Sequence, residues 1–255
     1  MSNKREREKR REERLAEEAR VDTTDRRKQL LQLGAGAVFL VIAVVVVLIV
    51  VQASSSSSGG DTKLEEVSTV NKLFTGIPQE KLVLGDPKAP VSLYEYGDLQ
   101  CPVCKAYSEE ILPPIIESKI KNGEVKLEFR NFVIIGEQSV PAGAAAIAAG
   151  EQGRGWNYIE LFYRNQGTEN SGYVTESFIE AVAKGAGVKD LAKFNKERKE
   201  GERTTEINKT TEEAKQFGFT GTPSFAVKGP SSNGLELLGS PGSTAAIEEA
   251  IQEAE

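Results

Sequence analysis

Histidine is absent from this 255-residue chain, methionine occurs once, at Met1, and cysteine only twice. Without histidine there is no Ser-His-Asp triad, no Cys-His protease pair and no histidine metal site. Two cysteines cannot supply the four ligands of a structural zinc site unless a second chain or carboxylates complete it. Charge is missing from one long stretch, with none between Gln29 and Gly60. The two sides of that gap differ in sign. Residues 1–29 carry eleven Lys/Arg and eight Asp/Glu, a net of +3, whereas residues 61–255 hold 21 basic and 30 acidic residues, a net of −9. The acidic balance argues against a nucleic-acid partner, and the interleaved acids of the basic tail do not reverse that.

The uncharged gap divides the chain. Residues 1–29 read as a charged, solvated tail on the cytoplasmic side. Leu30 to Val51 is apolar except for Gln32, and 22 residues of helix reach about 33 Å, enough to cross a bilayer's hydrocarbon core. Residues 30–52 are therefore expected to form a single transmembrane anchor. Arg26, Arg27 and Lys28 abut its N-terminal end and only serine and glycine follow it, so the positive-inside rule places the N-terminus in the cytoplasm and the C-terminal part outside. Val51-Gln52-Ala53 is a passable signal-peptidase site, but the apolar run exceeds the 7–15 residues usual for a signal peptide, which favours an uncleaved anchor. Residues 53–63 form a Ser/Gly linker too polar and small to build a core.

From residue 64 to 255 strands and helices alternate. Strands are expected at Lys81–Leu84, Val91–Tyr96, Val125–Val133, Ser224–Lys228 and Leu235–Leu238. A helix is expected from near Cys101 to Lys119, bent at Pro113-Pro114. A helical block should fill about 138–217, and Thr244–Glu255 closes the chain as a helix. This order implies an α/β sheet interrupted by a helical insertion.

Cys101-Pro102-Val103-Cys104 carries the chemistry. At the start of a helix the Cys101 thiol meets unpaired amides and the positive dipole end, which favour a thiolate. Cys104 lies one turn on, along the same face, within bonding reach. Pro102 suits a first helical turn, where no amide hydrogen is needed. A purely structural disulfide closing so short a loop would constrain little chain entropy. Redox exchange is the leading reading. The alternative is a thiolate-based metal (copper) binding or delivery module, since thiolates are soft ligands, although such sites usually recruit histidine or methionine, and here histidine is absent and Met1 is the only methionine. Far downstream, Thr222-Pro223 stands between Gly221 and a strand, where a proline is a candidate cis bond.

Tyr94-Glu95-Tyr96-Gly97-Asp98-Leu99-Gln100 before the two cysteines, Gly221-Thr222-Pro223-Ser224-Phe225, and the stretch from Ala144 to Phe162 together resemble the DsbA-like branch of the thioredoxin superfamily. The resemblance spans roughly residues 78–255. It implies a thioredoxin-like fold with a helical insertion and a redox-active Cys101–Cys104 disulfide that forms, reduces or reshuffles disulfides in exported polypeptides. By the same resemblance Cys101 is the exposed nucleophile and Cys104 the buried resolving thiol. Pro223 is the cis-proline facing them, and Glu95 is a buried acid serving the proton of Cys104. Pro102, Val103 and Thr222 line the substrate, with Thr222 offering backbone for strand-like pairing. A membrane redox partner would reset the pair, and the residues themselves call for no cofactor and no metal. Val103 departs from strongly oxidising relatives, which often have histidine there. Valine cannot stabilise a thiolate, so a higher Cys101 pKa and a weaker oxidant are expected.

Overall fold

The computed structural model describes residues 62–255. The expected tail and anchor, and all but the last two residues of the expected linker, lie outside the described residues. Among the described residues no helix is long and apolar enough to cross a membrane.

A short helix, α1 (Val67–Leu73), comes first. Two two-residue strands follow, β1 (Gln79–Glu80) and β2 (Val83–Leu84), paired antiparallel. The sequence suggested one strand over Lys81–Leu84. Instead Lys81 turns the chain with φ 52°. Its carbonyl lies so close to Gly150 and Gly155 that a Cβ on either would sit 2.7 Å and 2.4 Å from it, so two helices clamp the turn.

β3 (Val91–Gly97) is the organising strand. It pairs in parallel with β4 (Val125–Asn131), from Val91 opposite Val125 to Gly97 opposite Asn131, and antiparallel with β5 (Ser224–Lys228). β6 (Glu236–Gly239) closes the other edge, giving the order β1-β2-β4-β3-β5-β6. Strict alternation along β4 buries Val125, Leu127, Phe129 and Asn131 on one face, as a strand with one core face requires. A parallel pair needs a crossover, and the chain makes it with a helical path. α2 (Pro102–Ala106) and α3 (Leu112–Ile115) are joined by a π-helical turn over Tyr107–Ile111 and followed by a second over Ile116–Ile120. Pro113 and Pro114 have no amide hydrogen for the carbonyls one turn back, and the first wide turn lies where those carbonyls are freed. The disturbance expected at these prolines therefore takes the form of π turns within a continuing helix.

Five helices form the insertion: α4 (Ser139–Gly150), α5 (Gly155–Arg164), α6 (Glu176–Ala186), α7 (Leu191–Glu197) and α8 (Gly201–Gln216). The small residues of α4 let it sit deep in the core. Ala142 and Ala144 to Ala149 are buried, and a Cβ on Gly143 would meet Asn131 Oδ1 at 2.4 Å. Side chains cap two of the starts, with Thr175 accepting from the Phe178 amide at 3.1 Å and Asp190 from the Lys193 amide at 2.8 Å. α8 covers part of the second sheet face, where Tyr96, Phe132, Ala214, Phe219 and Ala226 form their own cluster. The closing helix α9 (Thr244–Ala254) packs beside β5 and α3.

Candidate active site

Both cysteines sit where β3 gives way to α2. Cys101 is the residue before the helix, with extended backbone (φ −74°, ψ 120°), and Pro102 follows as the first helical residue. The amides of Val103 and Cys104 face its sulfur. Its thiol donates to the Thr222 carbonyl at 3.3 Å, so the distant Gly-Thr-Pro segment does reach the pair. The Thr222–Pro223 bond is cis. Ser224 ties the loop by donating to the Gly221 carbonyl at 2.7 Å, and the Ser240 hydroxyl donates to the Pro223 carbonyl.

The two thiols have opposite electrostatics. A hydrogen bond from the Cys104 thiol pulls the Cys101 pKa down; burial opposes it, while the Thr222 side chain and the two amides help, and the value falls from 9.0 to about 6. Cys104 moves the other way. Burial, the proton it shares with Cys101, and the charges of Cys101 and Glu95 push it well above the ordinary thiol range. Cys101 is thus largely thiolate at neutral pH and Cys104 is a thiol. Alkylation of the reduced chain should be half-maximal near pH 6, measured as iodoacetamide rate against pH. Half-maximal reaction near 3.5, the value of a strongly oxidising DsbA, would contradict the weaker stabilisation expected beside Val103.

One expectation needs correcting. Cys101 was expected to be exposed, but the residue is only 4% accessible, against 0% for Cys104. The Thr222–Pro223 loop lies over it, and the exposed neighbour is Val103, at 51%. Glu95 is buried on β3 between Phe129 and Phe225, its register partners. Neither carboxyl oxygen has a hydrogen-bond partner. Burial foremost, then the charges of Glu160 and Cys101, raise its pKa from 4.5 to about 8. Among the described residues no group of three or more His, Cys, Asp or Glu is placed to hold a metal ion.

Sequence reasoning missed the residues that hold this loop still. The buried Asp98 carboxylate accepts from the amides of Gln100, Ile134 and Ile135, each at 2.9 Å. Gln100, fully buried, donates to Ser139 at 3.0 Å and accepts from the Asn170 amide at 3.0 Å. Gln166 donates to the carbonyls of Leu99 and Cys101 at 2.7 and 3.2 Å. The helical insertion thereby clamps the segment before Cys101. The one available signal was Asp98 two residues before Gln100, an Asx-turn spacing.

A paired dithiol of split acidity at a helix start, faced by a cis-proline on a thioredoxin-like sheet with a helical insertion, defines a thiol–disulfide oxidoreductase. The model of the thioredoxin family matches residues 78–251. The chain is 30% identical over 166 residues to the probable disulfide bond formation protein D of Bacillus cereus, a match covering 64% of this chain and 76% of that one. It is 32% identical over 104 residues to disulfide bond formation protein D of Bacillus subtilis, covering 40% and 47% of the two chains. Among solved structures, oxidised BdbD of Bacillus subtilis superposes with a TM-score of 0.60 at 22% identity, covering 70% of this chain and 97% of that one. Wolbachia pipientis alpha-DsbA1 does so with 0.58 at 21%, covering 72% and 95%. The chain belongs to the DsbA-like branch of the thioredoxin superfamily and is a protein disulfide oxidoreductase.

Proposed function

We propose that this oxidoreductase is anchored in the cell membrane by residues 30–52, with residues 1–29 in the cytoplasm and the 64–255 domain outside, where it exchanges disulfides with exported polypeptides. The observation that carries the exchange mechanism is the split between the thiols, one pulled to about 6 and one pushed well above 9.0. Cys101 is the sulfur that substrates attack or that attacks them, because a low-pKa thiolate is both nucleophile and good leaving group. Cys104 resolves the mixed disulfide. Glu95 gives or takes the Cys104 proton. Pro223 and the Thr222 backbone hold the substrate chain, and Pro102 and Val103 border it. Val103 and Ile134, exposed at 51% and 42%, suit an apolar stretch of polypeptide. The names of the Bacillus relatives favour disulfide formation as the net direction. In that direction a membrane redox partner reoxidises the pair, and the 53–63 linker gives the domain the reach to meet it.

Placement outside the membrane rests on the apolar run and the flanking charges, and it has a direct test. In intact cells carrying the reduced full-length chain, a membrane-impermeant maleimide is expected to label Cys101 without lysis. Labelling only after lysis would place the domain in the cytoplasm.

A further inference from the structure

Helix α5 presents Trp156, Glu160 and Tyr163 along one stripe, four and three residues apart. The two ends of the stripe locate the middle. Trp156 packs edge-on to Phe129, with ring centroids 6.2 Å apart, and Phe129 is the β4 residue opposite Glu95. Tyr163 donates to the Asp98 carbonyl at 3.3 Å, and its hydroxyl would lie 3.2 Å from a Cβ on Gly97. Glu160 therefore faces the same patch of sheet as Glu95. It is 2% exposed. From the opposite side, Ser108 stands four residues beyond Cys104 on the buried side of the active-site helix, and its hydroxyl donates to Glu160 Oε2. Arg164 donates to Glu160 Oε1 at 2.8 Å and to Glu66 at 2.7 Å.

Two buried acids thus share the floor beneath Cys104, and they are unequally served. Both Glu160 oxygens have donors, one of them a guanidinium, whereas neither Glu95 oxygen has any. Burial raises the pKa of both acids, but at Glu160 the Ser108 hydroxyl and the Arg164 guanidinium oppose it while at Glu95 nothing does, and of two carboxyls in one dry site the better-partnered one ionises first. We propose that Glu160 is a positioning residue for the proton exchanged at Cys104: its carboxylate, fixed by Ser108 and Arg164, holds Glu95 in the protonated form. The proposal rests on reading Glu95 as the proton partner of Cys104. When a substrate thiolate attacks Cys101 of the disulfide, a bond forms between those two sulfurs and the Cys101–Cys104 bond breaks. The electron pair leaves on Cys104, and that thiolate takes the Glu95 proton. In the reverse step Cys104 returns the proton to Glu95 as its sulfur attacks the mixed disulfide. The ionisable groups around Glu95 are Cys101 and Cys104 from the helix above and Glu160 and Tyr163 from α5; those around Glu160 are Arg164 and Glu109.

The test is the pH profile of exchange between the full-length chain and a dithiol peptide. Wild type should show a limb near pH 8, where Glu95 titrates. Glu95→Gln should abolish that limb; if it survives, the Glu95 reading falls and the proposal with it. Glu160→Gln should move the limb to lower pH by about half a unit or more, the smallest shift expected when a buried like charge is removed. An unmoved limb overturns the role of Glu160 while leaving Glu95 in place, as does any further effect of Glu160→Gln in the Glu95→Gln background. Should Glu160→Gln fail to fold, wild type answers alone. With 13C-labelled glutamate side chains, the Glu160 carboxyl signal should inflect near pH 8 together with that of Glu95, and a Glu160 curve without that inflection overturns the coupling.

Discussion

Replacing Cys104 with alanine is expected to turn catalysis into capture: covalent complexes between Cys101 and substrate cysteines accumulate, are visible on non-reducing gels, and disappear with dithiothreitol. The reason lies in the division of labour. Cys101 is thiolate at neutral pH and lies under the Thr222–Pro223 loop beside exposed Val103, so it still forms the mixed disulfide. The group that would resolve it from inside is gone. Cys101→Ser should give the opposite result, with no capture and no turnover. The thiol left behind is fully buried, and that burial, the largest cause of its raised pKa, persists when Cys101 is replaced. It is therefore held mainly as the thiol at neutral pH and reacts far more slowly than Cys101 does. Complexes in Cys101→Ser, or their absence in Cys104→Ala alongside stoichiometric copper retention, would reverse the assignment.

Glu95→Gln should stabilise the protein, increasingly so as pH rises. The folded carboxyl titrates near 8 while the unfolded one titrates near 4.5, so between those values the folded state holds a proton that the unfolded state releases. Stability is lost across that window at up to 1.36 kcal/mol per pH unit. Glutamine has nothing to ionise. The variant should match wild type near pH 4.5 and exceed it by about 3 kcal/mol at pH 7, worth roughly 6–12 °C in Tm for a domain of this size. The gain should be smaller in the oxidised form, where Cys101 carries no charge to raise Glu95. Thermal melts at pH 4.5, 6 and 7.5 read this directly. A pH-independent difference, or a loss at high pH, would mean that Glu95 is a partnered carboxylate.

The elements closest to the chemistry were the most readable from sequence. β4 declares itself by strict apolar alternation, and β3, β5 and α9 fall where short apolar runs between turn residues placed them. The cysteine pair and Thr222-Pro223 could be joined because helix starts and strand-entry prolines have local chemistry that a sequence displays. α1 and β1 could not be read. α1 buries only Val70, and β1 spans two residues, too few for a period to appear. The clamp of Asp98, Gln100 and Gln166 was hidden for another reason. Gln100 reaches Asn170 and Gln166 reaches Leu99 across 70 and 67 residues, and side-chain bonds to distant backbone leave no pattern. Glu160 has the four-residue spacing to Arg164 that an exposed helical ion pair also has, so spacing does not reveal its burial. Only the burial of every residue from Gly155 to Tyr163 shows that this helix has no polar face there.

The central claim is that Cys101 and Cys104 form a reversible redox couple tuned by the split in their acidities. Equilibration of the full-length chain with glutathione buffers tests it most directly. A Cys101 pKa near 6 lies between those of thioredoxin, about 7, and DsbA, about 3.5. The account therefore predicts a two-electron couple between about −270 and −120 mV, which Val103→His should make more oxidising. A potential below about −300 mV, typical of a structural disulfide, or no reversible couple at all, would contradict it.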